Sequence, residues 1–94
     1  IAGDDFMAMG VLRAMKEYRL NCPDDISIAS FNDFPFTEFT RPPLTSYHFD
    51  FYYLGKTLAK QAVKLVSGQA INKTILTGRL KIRASTTQLK TKRG

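Results

Sequence analysis

The stretch that decides the fold is Ser27-Ile28-Ala29-Ser30-Phe31-Asn32-Asp33, followed by Thr40-Arg41-Pro42-Pro43-Leu44-Thr45-Ser46. The first run predicts a short strand over 26–31, apolar enough to be covered on both faces and ending in two adjacent polar side chains. The second is a proline-locked loop leading into another extended segment, 44–49. In an open α/β sheet, ligands bind just beyond the carboxyl ends of the strands. Asn32 and Asp33 therefore stand where directional hydrogen bonds to a small polar ligand can be made.

On the amino side of this stretch, Asp4 and Asp5 supply N-cap chemistry for a helix, and their charge suits its positive end. Met7, Ala8, Val11, Leu12, Ala14, Met15 and Tyr18 follow at helical spacings, with Arg13, Lys16 and Glu17 on the polar side. Gly10 costs about 1 kcal/mol in a helix interior, so a close backbone neighbour is expected there. Asn21 and Pro23 end the helix. Residues 34–43 form an irregular loop whose Phe34, Phe36 and Phe39 are expected to pack on their own domain or on another subunit.

On the carboxyl side, Asp50 is positioned to cap a second helix with Phe51, Leu54, Leu58, Ala62 and Leu65 facing inward. Gly68 fits a left-handed stop. Residues 74–77 and 80–85 predict two short extended pieces, with Leu80, Ile82 and Ala84 on one face of the second. The alternation of strands and helices indicates an α/β class with a parallel sheet.

The 94 residues, 44% apolar and 12% aromatic, suit one globular domain. No apolar run reaches the roughly 18–20 residues that span a bilayer, and no signal-peptide pattern is present. Ile1-Ala2-Gly3 reads as the tail of a strand, so the chain is expected to start inside something larger. Its single cysteine, Cys22, cannot form an internal disulfide and is expected to be a partly buried structural thiol. A reducing cytoplasm is the expected compartment.

Charge is divided unevenly. Residues 1–50 carry eight acids against four basic residues, net −4, and residues 51–94 carry ten basic residues and no acid, net +10. Such asymmetry can mark nucleic-acid contact. The spacing argues otherwise: Lys56, Lys60 and Lys64 recur along one helix face, and Arg79, Lys81 and Arg83 alternate as the wet face of a strand would. Lys90, Lys92 and Arg93 fall in a polar tail. His48 has no second histidine to share a metal, and no nucleophile set or glycine-rich phosphate loop is visible. No metal, cofactor or enzymatic activity is expected.

Five landmarks in order, Asp4-Asp5-Phe6-Met7-Ala8-Met9-Gly10, Pro23-Asp24-Asp25-Ile26-Ser27-Ile28, Phe31-Asn32-Asp33, Arg41-Pro42-Pro43-Leu44-Thr45-Ser46 and Leu54-Gly55, resemble the end of the core domain of LacI/GalR regulators. The resemblance runs over essentially the whole chain. It implies a partial periplasmic-binding-protein-like fold. Residues 1–49 and those from about 76 to 94 would lie in the C-terminal subdomain, with about 50–75 crossing to the N-terminal one. It also implies a cleft for a small effector, most often a sugar or sugar derivative, and a homodimer. Operator DNA would be bound through an N-terminal helix-turn-helix absent from these 94 residues. The second helix would then lack most of its cover, so the isolated chain is expected to self-associate or to be the ordered remnant of a longer chain.

The same resemblance implies that Asn32, Asp4 and Phe51 contact the effector and that Met7, Met9, Phe39 and Thr40 lie at the subunit interface. Each has a plainer reading. Asp4 can serve only as a helix cap, Asn32 only to close a turn, Phe51 only as core, and Met7 and Met9 only as core. Asp33 is expected to hold its loop. The whole protein is expected to be a ligand-responsive transcription regulator, commonly a repressor; a periplasmic-type solute-binding protein for uptake is the alternative, and an α/β enzyme fragment a more distant one.

Overall fold

The computed structural model describes residues 1–89, and the basic tail at Lys90, Lys92 and Arg93 lies outside the described residues. The elements are α1 (Asp5–Glu17), β1 (Ala29–Asn32), a 3-10 turn (Pro35–Glu38), β2 (Thr45–His48), α2 (Phe51–Val66) and β3 (Arg79–Lys81). They form the expected α/β arrangement. The sheet order is β1-β2-β3, and β1 and β2 run parallel with Ala29 opposite Thr45 and Asn32 opposite His48. The chain divides into two compact units, 1–48 with the residues from Leu80 onward, and 49–79.

In the first unit, α1 begins because the Asp4 side chain accepts a 2.8 Å hydrogen bond from the Met7 amide while its own backbone stays extended. The helix turns Asp5, Ala8, Leu12 and Met15 inward, where Ala8 and Met15 join Ala2, Ile28 and Leu44 in the core. Met7, Val11 and Tyr18, expected on this stripe, are instead exposed. Spacings of three and four residues admit only one narrow stripe to the sheet. Gly10 is exposed, and a methyl group there would meet no neighbour within 4 Å, so the anticipated close backbone approach does not exist.

The strand at 26–31 is displaced toward its carboxyl end. Before Ala29 the chain pairs with Ser85 rather than with β2, the Ile28 amide donating to the Ser85 carbonyl at 2.9 Å. Ser85 is fully buried. Its hydroxyl donates to the Ile28 carbonyl at 2.6 Å and accepts from the Thr45 amide at 2.7 Å, bridging the amino ends of β1 and β2. The extended reading of 74–77 and 80–85 contracts accordingly to β3, and Arg83 and Ser85 are used in side-chain bonding instead.

Asp5 is the largest departure from the expectation of a simple cap. Its carboxylate is wholly buried. Oδ1 accepts from the Ser30 hydroxyl at 2.6 Å and the Ser46 hydroxyl at 2.7 Å, and Oδ2 from the Phe34 amide at 2.7 Å. One side chain thus joins α1, β1, the loop after β1, and β2.

In the second unit, Asp50 caps α2 by accepting from the Tyr53 amide at 3.0 Å, and Gly68 ends it with a φ of 78°. No residue of α2 is buried in this chain: Phe51, Leu58 and Leu65, expected inward, are exposed.

Replacing Asp5 with Ala leaves two buried hydroxyls and a backbone amide without an acceptor and is expected to cost roughly 3–5 kcal/mol, as measured by urea unfolding. Asp5→Asn, which retains one carbonyl oxygen, is expected to cost less.

Candidate functional site

At the carboxyl end of β1 the backbone changes course abruptly. Asn32 and Asp33 adopt φ values of 103° and 56°. Left-handed backbone penalises bulky and β-branched side chains, and Asn and Asp tolerate it best among non-glycine residues. The reversal presents Asn32 at the sheet edge and turns Asp33 back over β2, where its amide donates to the Ser46 hydroxyl at 2.9 Å. Asn32 is partly exposed and its side chain makes no hydrogen bond to a described residue.

Asp33 is the organising anion of this edge. Oδ1 accepts from the Arg83 guanidinium at 2.7 Å and the Thr37 hydroxyl at 2.8 Å, and Oδ2 lies 3.0 Å from His48 Nδ1. Burial by itself would push this carboxyl up, but the hydrogen bonds from Arg83 and Thr37, the Arg83 charge and His48 together hold it below the usual range. Asp33 therefore holds its loop, as anticipated. Arg83 does not lie on a wet strand face. Its side chain is 15% exposed and also reaches the Leu44 carbonyl at 2.8 Å. The alternation of Arg79, Lys81 and Arg83 is equally compatible with either placement, so only the partner carboxylate could have revealed this role.

The remaining sequence candidates separate. Asp4 caps α1, and its carboxylate is partly exposed. Phe51 opens α2 in the second unit, 44% exposed, with its ring centroid 6.2 Å from that of Phe49. Met7, Met9 and Phe39 are all exposed rather than core, and the Thr40 hydroxyl is occupied by the Thr37 and Pro42 carbonyls. Phe34 and Phe36 pack around Phe6, a contact the sequence did not announce, with centroids 5.5 and 5.1 Å from it. Cys22 is partly buried, donates to the Ser85 carbonyl at 3.3 Å, and has its thiol pushed up by burial.

A hollow of about 250 Å³ in the first unit is walled by Asp33, Thr37, Glu38, Phe39 and Arg83, and one of about 540 Å³ in the second by Phe49, Asp50, Tyr53, Leu54 and residues 74–77. Asn32 lines neither; it stands on the open edge. Among the described residues no group of three His, Cys, Asp or Glu side chains could hold a metal ion. No helix there is long and apolar enough to cross a membrane.

Residues 1–86 match the family model for the periplasmic binding protein-like domain. The chain belongs to that family. Its relatives place it with the LacI/GalR regulators. It is 33% identical over 73 residues to the lactose operon repressor of Rhizobium radiobacter, covering 78% of this chain and 65% of that one. It superposes on a lac repressor dimer bound to operator and the anti-inducer ONPF with a TM-score of 0.82 and 33% identity, covering 92% of this chain and 30% of the other. A LacI family regulator from Enterococcus faecium with bound ribose gives 0.81 and 28%, covering 95% of this chain and 34% of that one. The chain thus spans about two thirds of the first relative and about a third of the two solved chains.

Arg83→Leu strands Asp33 in a largely buried site and is expected to destabilise the protein by roughly 3 kcal/mol in urea unfolding. Because the Asp33 carboxyl is held low in the folded state, its contribution is complete above the ordinary carboxylate value near ~4 and fades as pH falls through the lower folded value. The stability gap between wild type and Asp33→Asn is therefore expected to narrow on acidification, which urea titrations at a series of pH values would measure.

Proposed function

We propose that this chain is part of the effector-binding core of a ligand-responsive transcription regulator of the cytoplasm, most simply a repressor, whose effector is a sugar or sugar derivative. The observation that carries the reading is Asn32, a partly exposed amide without a hydrogen-bond partner among the described residues, held in left-handed backbone at the carboxyl edge of two parallel strands. Its carbonyl accepts and its amide donates, which suits a hydroxyl group that does both. Asp4, an acceptor when ionised, and the aromatic face of Phe51 are the further effector contacts that the resemblance implies. The E. faecium relative holds ribose, and the R. radiobacter relative is named for lactose, which supports the sugar class. These relatives are regulators, which favours this reading over an uptake protein or an enzyme.

In this reading residues 1–49 and those from about 76 form the C-terminal subdomain, with about 50–75 in the N-terminal one. The division of the chain at 48 and 80 supports that assignment. Operator DNA is bound by a helix-turn-helix outside these residues. Exposed Met7, Met9 and Phe39, with Thr40, supply the homodimer interface, since methionine and aromatic side chains are enriched at interface centres. Effector binding favours one subdomain arrangement and so shifts the population of DNA-competent dimers, with reciprocal coupling between the two ligands.

Calorimetry of the full-length protein with lactose, maltose, galactose and ribose tests the sensor. At least one sugar is expected to bind and to change operator affinity. Asn32→Gly, which tolerates the positive φ while removing the amide, is expected to weaken that binding by about tenfold or more, the loss of one or two good hydrogen bonds. Unchanged affinity in this variant refutes the site. Met9→Glu is expected to shift the protein toward monomer in sedimentation, and a persistent dimer refutes the interface.

A further inference from the structure

We propose that the carboxyl end of α1 carries a second ligand site, a hollow that takes a small organic anion through Lys16, Arg19 and Arg41. The hollow, about 350 Å³, lies within the first unit. That volume falls in the range of roughly 300–1,000 Å³ in which small-molecule sites occur. Leu12, Met15 and Leu20 give it an apolar floor, and Leu12 and Met15 continue into the core. Cys22, which also lines it, donates to the Ser85 carbonyl, and Ser85 ties the starts of β1 and β2. The hollow therefore sits toward the amino ends of the strands, at the opposite end of the sheet from Asn32.

The rim is cationic and lacks a counter-charge. Lys16, Arg19 and Arg41 are exposed, and among the described residues none of them pairs with a carboxylate. No acid among the described residues lines the hollow. Glu17 is turned to Arg13 at 3.6 Å, and Asp25 accepts from the Asn21 amide at 2.7 Å and lines a separate hollow with Asp24. Lys16 and Arg19 alone could serve the carboxyl end of α1, where cations complement the helix dipole. Arg41 has no such duty, since it comes from the loop before β2. Arg19 also exceeds it. The helix stops with the Leu20 amide donating to the Met15 carbonyl at 2.8 Å and the Arg19 amide to the Lys16 carbonyl at 3.1 Å, which puts Arg19 at a φ of 58°. Glycine is the usual residue at that position of such a stop, so an arginine there places a guanidinium on the rim at the expense of backbone comfort. A phosphate monoester or carboxylate accepts charge-assisted hydrogen bonds from the three cations. An apolar ring or chain attached to that anion covers the floor.

Calorimetry of the full-length protein with phenyl phosphate, inorganic phosphate and phenol, at one fixed ionic strength, tests this. Phenyl phosphate is expected to bind with a Kd of about 1 mM or tighter, and about tenfold or more tightly than either of its two parts. Arg41→Gln is expected to weaken phenyl phosphate by about fivefold or more. Arg19→Gly is expected to weaken it similarly while leaving the melting temperature unchanged or higher, because glycine relieves the left-handed backbone. That opposition separates a ligand contact from a structural role. Asn32→Gly is expected to bind phenyl phosphate as wild type does, whatever it does to sugars, so the fate of this site and that of the sensor reading are read separately. The proposal is overturned if phenyl phosphate does not bind, if inorganic phosphate or phenol binds as tightly, or if both arginine variants keep the wild-type affinity. Loss of phenyl phosphate binding in Asn32→Gly places the anion at the other end of the sheet and overturns it as well.

Discussion

A carboxylate with no exposure to water governs the arrangement of the first unit. Removing an ionisable group from water is costly unless each charged oxygen is met by donors. Asp5 meets this requirement with two serine hydroxyls and one backbone amide, drawn from β1, β2 and the loop after β1. Those donors must converge within hydrogen-bonding distance of a single helical turn. Satisfying them therefore fixes where α1 lies against the sheet and where the chain leaves β1. The apolar core beside it is small, among the described residues five buried hydrophobic side chains with Leu12 and Cys22 packed against them, so polar convergence carries an unusual share of the specification.

The loop set in place by Asp5 begins with a second carboxylate, Asp33, and the two divide the work. Asp5 binds neutral donors in a sealed interior. Asp33 sits at the edge and gathers a guanidinium, a hydroxyl and an imidazole. Left-handed backbone at both Asn32 and Asp33 makes this division possible, because consecutive positive φ values send adjacent side chains in different directions. Asp33 holds the edge together, and the Asn32 side chain is left without a hydrogen-bond partner among the described residues. A binding edge needs that combination of rigid support and an unsatisfied polar group.

Much of the architecture was legible in local signals. Asp4 and Asp50 cap the helices they were expected to cap, and Gly68 stops the second in the left-handed conformation. Landmarks around Asn32-Asp33 and Arg41-Pro42-Pro43 carried the family. The misreadings share one cause. Apolar periodicity marks a helix but does not say which apolar stripe meets the sheet, so Met7, Val11 and Tyr18 were read as facing inward. Arg83 followed the same pattern, since a basic residue in strand alternation reads as solvated unless its carboxylate partner, fifty residues away in sequence, is known.

By itself, the sequence determined where both helices start, where the second one stops, the α/β class and the presence of an Asn-Asp pair at a strand end, because caps, breakers and short-range spacing act within a few residues; the first helix ends at Glu17, short of the stop expected at Asn21 and Pro23. Only the tertiary structure decided that Asp5 is a buried hub, that Arg83 pairs with Asp33 at the edge, and that Ser85 ties the starts of two strands. Those roles depend on groups separated by 25 to 57 residues meeting within 3 Å. A hydrogen bond of that reach leaves no local pattern, since either partner alone looks like an ordinary polar residue on a solvated face.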